Sequence, residues 1–213
     1  MNYNIKNGVG KVYYAVITKA DEGKTPAEYG EVKELGELIE FNISSETNSV
    51  KMYAGNRQII ELEDPSKGNI TITVPALSTE AKCDLLGYIK TSEGGIIKAP
   101  LTKKQVAIML EQNSVNSATK AEITDYITLF KCNVSESDLK GKTKEDSQEL
   151  QTEQLSIEAL TPSNFTDFKY IVSSDGDGFN ATNFEKIWGK TVPTTITISA
   201  SATQTESTAS KSK

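Results

Sequence analysis

The residues with the most obvious chemical potential are Gly141-Lys142-Thr143, the ending of a phosphate-binding loop in which backbone amides wrap the phosphate and a lysine reaches its oxygens. Such a loop needs a glycine five positions before Gly141, and this chain has Glu136 there, a carboxylate that would repel phosphate. Nor does a helix follow, because the next apolar residues, Leu155, Ile157 and Ala159, alternate as a strand does. A second candidate is Ser173-Ser174-Asp175-Gly176-Asp177-Gly178, which offers oxygen ligands at calcium-loop spacing. With Gly178 as the loop glycine, Ser173, Asp175 and Asp177 take the first ligand positions, but the twelfth, which requires a bidentate glutamate, is Phe184. Alternating Asp and Gly is also the composition of a tight surface turn. Cys83 and Cys132 lack paired-motif spacing, and the 213 residues contain no histidine, which removes His-ligated metals and His-based triads. The sequence therefore yields no catalytic, cofactor-binding or metal-ligating set, and function is expected in surfaces.

The elements that would present those surfaces read mostly as strands. Val12 to Ile17 is a dense Val/Tyr/Ile run behind Gly8 and Gly10; Ile39, Phe41 and Ile43 alternate onto one face; Ile70, Ile72 and Val74 do the same with threonines outside. Gln105 to Glu111 is a short apolar strand. Tyr126, Thr128, Phe130, Cys132 and Val134 fall on one side of another strand, which makes Cys132 a small core residue. Leu155 to Ala159 and Thr194 to Ala200 complete the set. Two helices interrupt it. One starts near Ser78 with Ala81, Leu85, Tyr88 and Ile89 on one face and ends before the turn Glu93-Gly94-Gly95. The other opens on the capping box Thr182-Asn183-Phe184-Glu185, with Phe184, Ile187 and Trp188 as its apolar face. Strands without regular βα alternation predict a mainly β or α+β fold, two packed antiparallel sheets in a sandwich or barrel, with a flanking helix and a short C-terminal helix. Ser199 to Lys213 has no large apolar residue and is expected to be a flexible tail.

The net charge is −6, with Arg57 as the single arginine, which argues against a nucleic-acid reader, since phosphate neutralisation needs clustered cations. Between Asp21 and Glu46 eight acids face two lysines. They form a solvated face, or they line a passage through which a polyanion slides; Glu31, Glu34, Glu37 and Glu40 are the candidates for either role. No apolar stretch reaches the roughly 18 residues of a membrane helix, and residues 1–6 have no signal-peptide core, so a soluble protein made in a cytoplasm is expected.

The run Gly141-Lys142-Thr143-Lys144-Glu145-Asp146-Ser147, leading to a strand that starts Gln151-Thr152-Glu153, closely resembles the major tail (tail tube) proteins of bacteriophages with long non-contractile tails that infect Gram-positive bacteria. Gly8 to Val16 is similar to that family's opening strand, Tyr29 to Gly36 to its next turn, Met52-Tyr53-Ala54-Gly55-Asn56 to its Tyr-Ala-Asp-Asn, and Cys83 to Gly87 to its Asp-Leu-Leu-Gly. Gly55 replaces the usual acid, and residues 113–124 diverge. The resemblance is collinear over about residues 8–160, with a weaker match through Asn183, Phe184 and Pro193. It implies a tail tube domain over residues 1–198, with 161–198 an extension packed on the family-like core and 199–213 outside it.

The same resemblance implies a structural virion protein of the phage tail, synthesised in the host cytoplasm. Its subunits would form hexameric rings that stack into the tube around a tape-measure protein, with terminator and initiator partners, and genomic DNA would pass without sequence-specific binding. By the same analogy, the polar connection Ser44 to Gln58, carrying Asn48, Lys51, Tyr53, Asn56 and Arg57, reaches the adjacent subunit or ring. Two alternatives stand beside this reading: a tube subunit of a phage-derived bacteriocin particle, and a monomeric β-sandwich module that binds carbohydrate or a cell-surface ligand.

Overall fold

The computed structural model describes residues 3–46, 49–54, 57–63, 67–99, 103–136, 152–194 and 196. The charged run at 141–151 and the tail at 199–213 lie outside the described residues. In chain order the elements are β1 (Asn4–Lys19), β2 (Glu28–Glu37), β3 (Glu40–Glu46), β4 (Ser49–Ala54), β5 (Arg57–Glu63) and β6 (Lys67–Val74). Then come α1 (Thr79–Leu86), β7 (Tyr88–Lys90), β8 (Ile96–Lys98), β9 (Val106–Asn116), β10 (Glu122–Glu136), β11 (Glu153–Leu160), β12 (Lys169–Ser173) and α2 (Ala181–Phe184). The expected mainly β architecture with two short helices is present.

One antiparallel sheet in the order β2-β1-β9-β10-β11-β6-β3, with β12 also on β10, does most of the building. Its two halves pack face to face because the sheet turns two corners. At the first, β10 carries an extra residue: Leu129 stands opposite Ile108 but Cys132 opposite Val106, so three steps on β10 match two on β9. A bulge of this kind inserts one residue and reverses which face the following side chains occupy. Ile127 and Leu129 before it, and Cys132 and Val134 after it, all enter the interior cluster, while Phe130 enters a second cluster on the opposite face. The expected single face Tyr126-Thr128-Phe130-Cys132-Val134 is therefore corrected, since its alternation breaks between Phe130 and Cys132. Before the bulge β10 carries β12 as a neighbour, and after it β11.

The second corner lies between β2 and β3, the two ends of the sheet path, which only Leu38 and Ile39 separate in sequence. The Leu38 amide donates to the Gly10 carbonyl of β1 at 3.0 Å and the Ile39 amide to the Thr73 carbonyl of β6 at 2.9 Å, so one dipeptide joins both edges. Leu38 turns into the core and Ile39 is left 48% exposed, which corrects the reading of Ile39 as a face-mate of Phe41 and Ile43. Between the halves lie Val12, Ile72, Val106, Leu110, Leu129, Leu155 and Phe168, all fully buried. The run Val106 to Leu110 is apolar throughout because both of its faces are covered: Val106, Ile108 and Leu110 face inward, Ala107 and Met109 outward under the C-terminal segment.

α1 starts where Ser78 Oγ accepts the Ala81 amide at 3.1 Å, and ends at Gly87, whose φ of +73° is left-handed. Tyr88 and Ile89, expected on the helix, are instead in β7, because the left-handed cap turns the chain out of the helical path. α2 is capped not by Thr182 but by Asn180, whose side chain accepts the Asn183 amide at 3.1 Å. Thr194 and Ile196 are not in a strand; the rest of the segment expected there lies outside the described residues.

Gly68 on β6 faces the Phe168 ring so closely that any Cβ would run into it. Gly68→Ala is expected to lower unfolding free energy by about 1–3 kcal/mol through overpacking of a fully buried ring, measured by urea denaturation.

Candidate assembly surfaces

The half of the sandwich formed by β10 after its bulge, β11, β6 and β3 turns a mostly polar face outward. Register places Asn133, Glu158, Asn69 and Ser44 in one row across the four strands, and Ser135, Ser156, Thr71 and Asn42 in the next. A third row runs Gln154, Thr73 and Glu40. Alternation produces this face directly, since each of these residues neighbours an inward Ile, Val, Leu, Ala or Phe. A shallow groove of about 530 Å³ lies over it, with Lys103 at its rim. Short polar side chains bond among themselves there: Asn69 Nδ2 donates to Glu46 Oε1 at 2.7 Å and Gln105 Nε2 to Asn133 Oδ1 at 3.2 Å. Glu40, Glu46 and Glu158 on this face stand against Lys67 and Lys103, the latter donating to Ser135 Oγ at 3.4 Å, so it is hydrated and slightly acidic, without the cation cluster that would hold a polyanion.

The outward face of β1, β9 and β10 before the bulge is covered instead by the chain after Leu160. Phe165 stacks on Phe130 with centroids 4.3 Å apart, and Trp188 lies 4.8 Å from Tyr126. Trp188 Nε1 donates to Glu111 Oε1 at 2.7 Å, which satisfies the one polar atom of the ring. A clasp fixes the start of this covering segment. Asp21, with 4% of its side chain exposed, accepts from Lys131 Nζ at 2.6 Å and from the Ser163 amide at 2.7 Å. Burial alone would raise the Asp21 carboxyl, but the hydrogen bonds from Lys131 and Ser163 outweigh it and hold the pKa at about 2. Tyr29 donates its hydroxyl to the Phe130 carbonyl at 3.2 Å, binding β2 to the bulge itself. Burial pushes the Cys132 thiol well up, as a core cysteine requires.

The acids singled out in the sequence occupy two places. Glu31, Glu34 and Glu37 lie on β2, which pairs with β1 along one side, and Glu40 starts β3 beyond the corner. Glu34 forms an ion pair with Lys11 at 2.9 Å and Glu28 with Lys19 at 3.0 Å, both exposed. On the same strand Lys33 is held by α1, at 2.6 Å from Glu80 and 2.8 Å from Asp84, and these hydrogen bonds raise its pKa. Sequence spacing gave no signal for this contact or for the Asp21 clasp, whose partners are 47 to 142 residues apart.

The connection Ser44 to Gln58 is not a loop. Ser44 to Glu46 finish β3, and β4 and β5 form a hairpin that pairs only with itself among the described residues. Lys51 stands opposite Glu61, Tyr53 opposite Gln58, and the exposed Arg57 opposite Ala54; Asn48 and Asn56 lie outside the described residues. The Asp/Gly loop is a surface turn: Asp175 accepts from Asn4 Nδ2 at 2.8 Å and from Ser173 Oγ at 2.6 Å, so its oxygens serve the protein.

A folded-over sheet with one polar face, one covered face and a free-standing hairpin defines a structural β-sandwich built around its surfaces. The profile of the family described as phage tail tube protein matches residues 33–191, and the chain belongs to that family. It is a structural family whose members are components of the virion tail. Comparison with curated proteins gives no match. Among the described residues no helix is long and apolar enough to cross a membrane.

Asp21→Asn tests the clasp. A carboxylate whose folded pKa is lowered from 3.8 to about 2 stabilises the fold above its unfolded value, and that contribution is lost as pH falls through about 2. The variant is expected to be less stable by about 2 kcal/mol at pH 7 and to converge on the parent as pH falls from 4 toward 2, measured by urea denaturation across that range.

Proposed function

We propose that this chain is the subunit that builds the tail tube of a long-tailed phage, probing no chemistry of its own and acting through contacts between copies. Subunits join laterally into hexameric rings, rings stack around a tape-measure protein, and DNA leaves through the central channel. A domain over residues 1–198, with the tail at 199–213 outside it, forms the wall. The polar rows from Ser44 to Gln154 are the best candidate for the channel face, because they offer hydration and mild negative charge to a passing polyanion.

The observation that carries this reading is the hairpin β4–β5. Glu46 ends β3 directly opposite Lys67, which starts β6, so an ordinary two-residue turn could join the two strands there. The chain instead inserts residues 47–66, whose hairpin adds no strand to the main sheet. A lone two-stranded hairpin is marginal in water and gains stability only by packing on something. A neighbouring ring supplies that surface, with Lys51, Tyr53 and Arg57 among the hairpin residues that would meet it.

Lateral joining is supported by the other end of the sheet. Along the path β1-β9-β10-β12, among the described residues, β1 is paired only with β9 at Asn4–Gly8, before β2 joins it at Lys11, and β12 is paired only with β10, at the level of Val9–Tyr14. Four alternating strands present opposite directions at their two edges, so β12 of one copy can meet β1 of the next in antiparallel fashion around a ring.

Replacing residues 47–66 by Asn-Gly is expected to leave far-UV circular dichroism and thermal stability close to the parent's while abolishing tubes in negative-stain electron microscopy of concentrated protein. Normal tubes from the shortened chain would overturn the inter-ring role.

A further inference from the structure

Resting on the tube-subunit reading, we propose the register of the seam between neighbouring copies: Ile171 of one copy stands opposite Lys6 of the next, and Val172 opposite Ile5, with backbone hydrogen bonds joining the two open edges. The bonds inside each copy dictate which backbone groups are open. On β12 the Phe168 carbonyl accepts the Phe130 amide at 3.2 Å, and the Ser174 amide donates to the Thr124 carbonyl at 3.0 Å. Antiparallel pairs alternate between bonded and unbonded, so Tyr170 and Val172 also bond β10, while Lys169, Ile171 and Ser173 aim their amides at the open edge. The Ser173 carbonyl already accepts the Gly176 amide at 3.0 Å, which ends the usable edge there. On β1 the Tyr3 carbonyl accepts the Ser117 amide at 2.9 Å, so Ile5 bonds β9 and the backbone of Asn4 and Lys6 is open. A bulge at Asn7, between the Lys6 and Gly8 pairs, closes the other end.

Side-chain direction selects the same pairs. Ile171 lies opposite Ile127 on the inward face, and Lys6 lies opposite Ser114, which shares the face of Ile108 and Leu110. An open residue therefore meets an open one, and an inward side chain an inward one, when Ile171 pairs with Lys6 or with Asn4. Stagger decides between them. Lys6 stands at the level of Ile123 on β10 and Ile171 at that of Ile127, so the path through four strands shifts by four residues per copy. Four residues rise about 14 Å while four strand spacings cover about 19 Å, which tilts the strands about 35° from the ring axis, within the range of closed barrels. Pairing with Asn4 would need about 47°. The chosen register also covers what each copy leaves open. Ile5 and Ile171, 49% and 51% exposed, come to rest on Val172 and along the Lys6 stem. Asp125 and Asp175 each lie 2.6 Å from Ser173 Oγ, whose one hydrogen serves only one of them. Lys6 has no ion pair among the described residues, and the seam sets it diagonal to Ser173, within reach of these carboxylates.

The test uses the full chain carrying Cys83→Ser, so that buried Cys132 is the only native thiol, with Ile5→Cys and Val172→Cys under mild oxidation. These two face each other as an unbonded antiparallel pair, about 4.5 Å apart between Cα atoms and within reach of a disulfide. A ladder extending past the dimer on a non-reducing gel is expected, absent from either single-cysteine variant and from Tyr3→Cys with Val172→Cys. In parallel, Ile171→Pro removes only an amide that faces the open edge, so it is expected to keep the parent's urea midpoint while raising the concentration needed for assembly by about tenfold or more. Electron microscopy of the same samples separates the two levels of the argument. A ladder with Tyr3→Cys instead of Ile5→Cys, a product that stops at the dimer, tubes without a ladder, Ile171→Pro that assembles like the parent, or Ile171→Pro that loses its fold would each overturn this register and leave the tube reading standing. Neither tubes nor ladder would overturn both.

Discussion

Everything in this fold depends on the extra residue in β10. Without it, Cys132 and Val134 would point to the face that Phe130 occupies, and Asn133 and Ser135 would be driven into the core. The bulge converts one long strand into a member of both sandwich halves, carrying β12 on its first half and β11 on its second. Its neighbours are arranged to hold it: the Phe130 amide donates to the Phe168 carbonyl at 3.2 Å, Tyr29 binds the Phe130 carbonyl, and Lys131 is pinned by Asp21. A bulge leaves backbone groups outside the ladder, and a buried unpaired group is expensive, so these partners are a condition of burying the corner at all.

That corner assigns the surfaces their roles. One outward face is closed by the chain after Leu160, whose aromatic rings lie over Tyr126 and Phe130, and the Asp21 clasp fixes where this cover begins. The opposite outward face keeps short polar side chains in cross-strand rows. Hydrophobic burial is thus concentrated between the halves and under the cover, leaving hydration and charge to the outer polar face. The β4–β5 and β7–β8 hairpins do not contribute strands to the main sheet, so the alternation of that sheet does not govern their sequences.

Strand periodicity made much of this legible. The inward set Ile70, Ile72 and Val74, the set Leu155, Ile157 and Ala159, the Ser78 start of α1 and the burial of Cys132 all follow from local pattern. Where reading failed, a nonlocal or conformational cause was at work. Alternation in β10 looked continuous because a bulge leaves no mark in residue type. Tyr88 and Ile89 continued the helical spacing until the left-handed Gly87 stopped it. Strand β2 was hidden by its glutamates, which occur every third residue and reflect an edge rather than alternating faces. The connection after β3 read as a loop because its polar residues Asn48, Lys51, Asn56 and Arg57 hid the short alternation of Val50 and Met52, which the register pairs with Leu62 and Ile60.

The sequence by itself determined the kind of protein. Absent histidine, dominant strand alternation and a tail tube resemblance over about residues 8–160 pointed to a structural β protein of that family, to which the match over 33–191 assigns it. Only the tertiary structure decided which faces are free and which residues meet. Asp21 with Lys131 and Ser163, Lys33 with Glu80 and Asp84, and the two sheet edges joined at Leu38-Ile39 are contacts between segments far apart in the chain. Side-chain period records which way a residue faces its own strand; what stands on the other side is fixed by how the sheet folds over, and that depends on the packing of the whole chain.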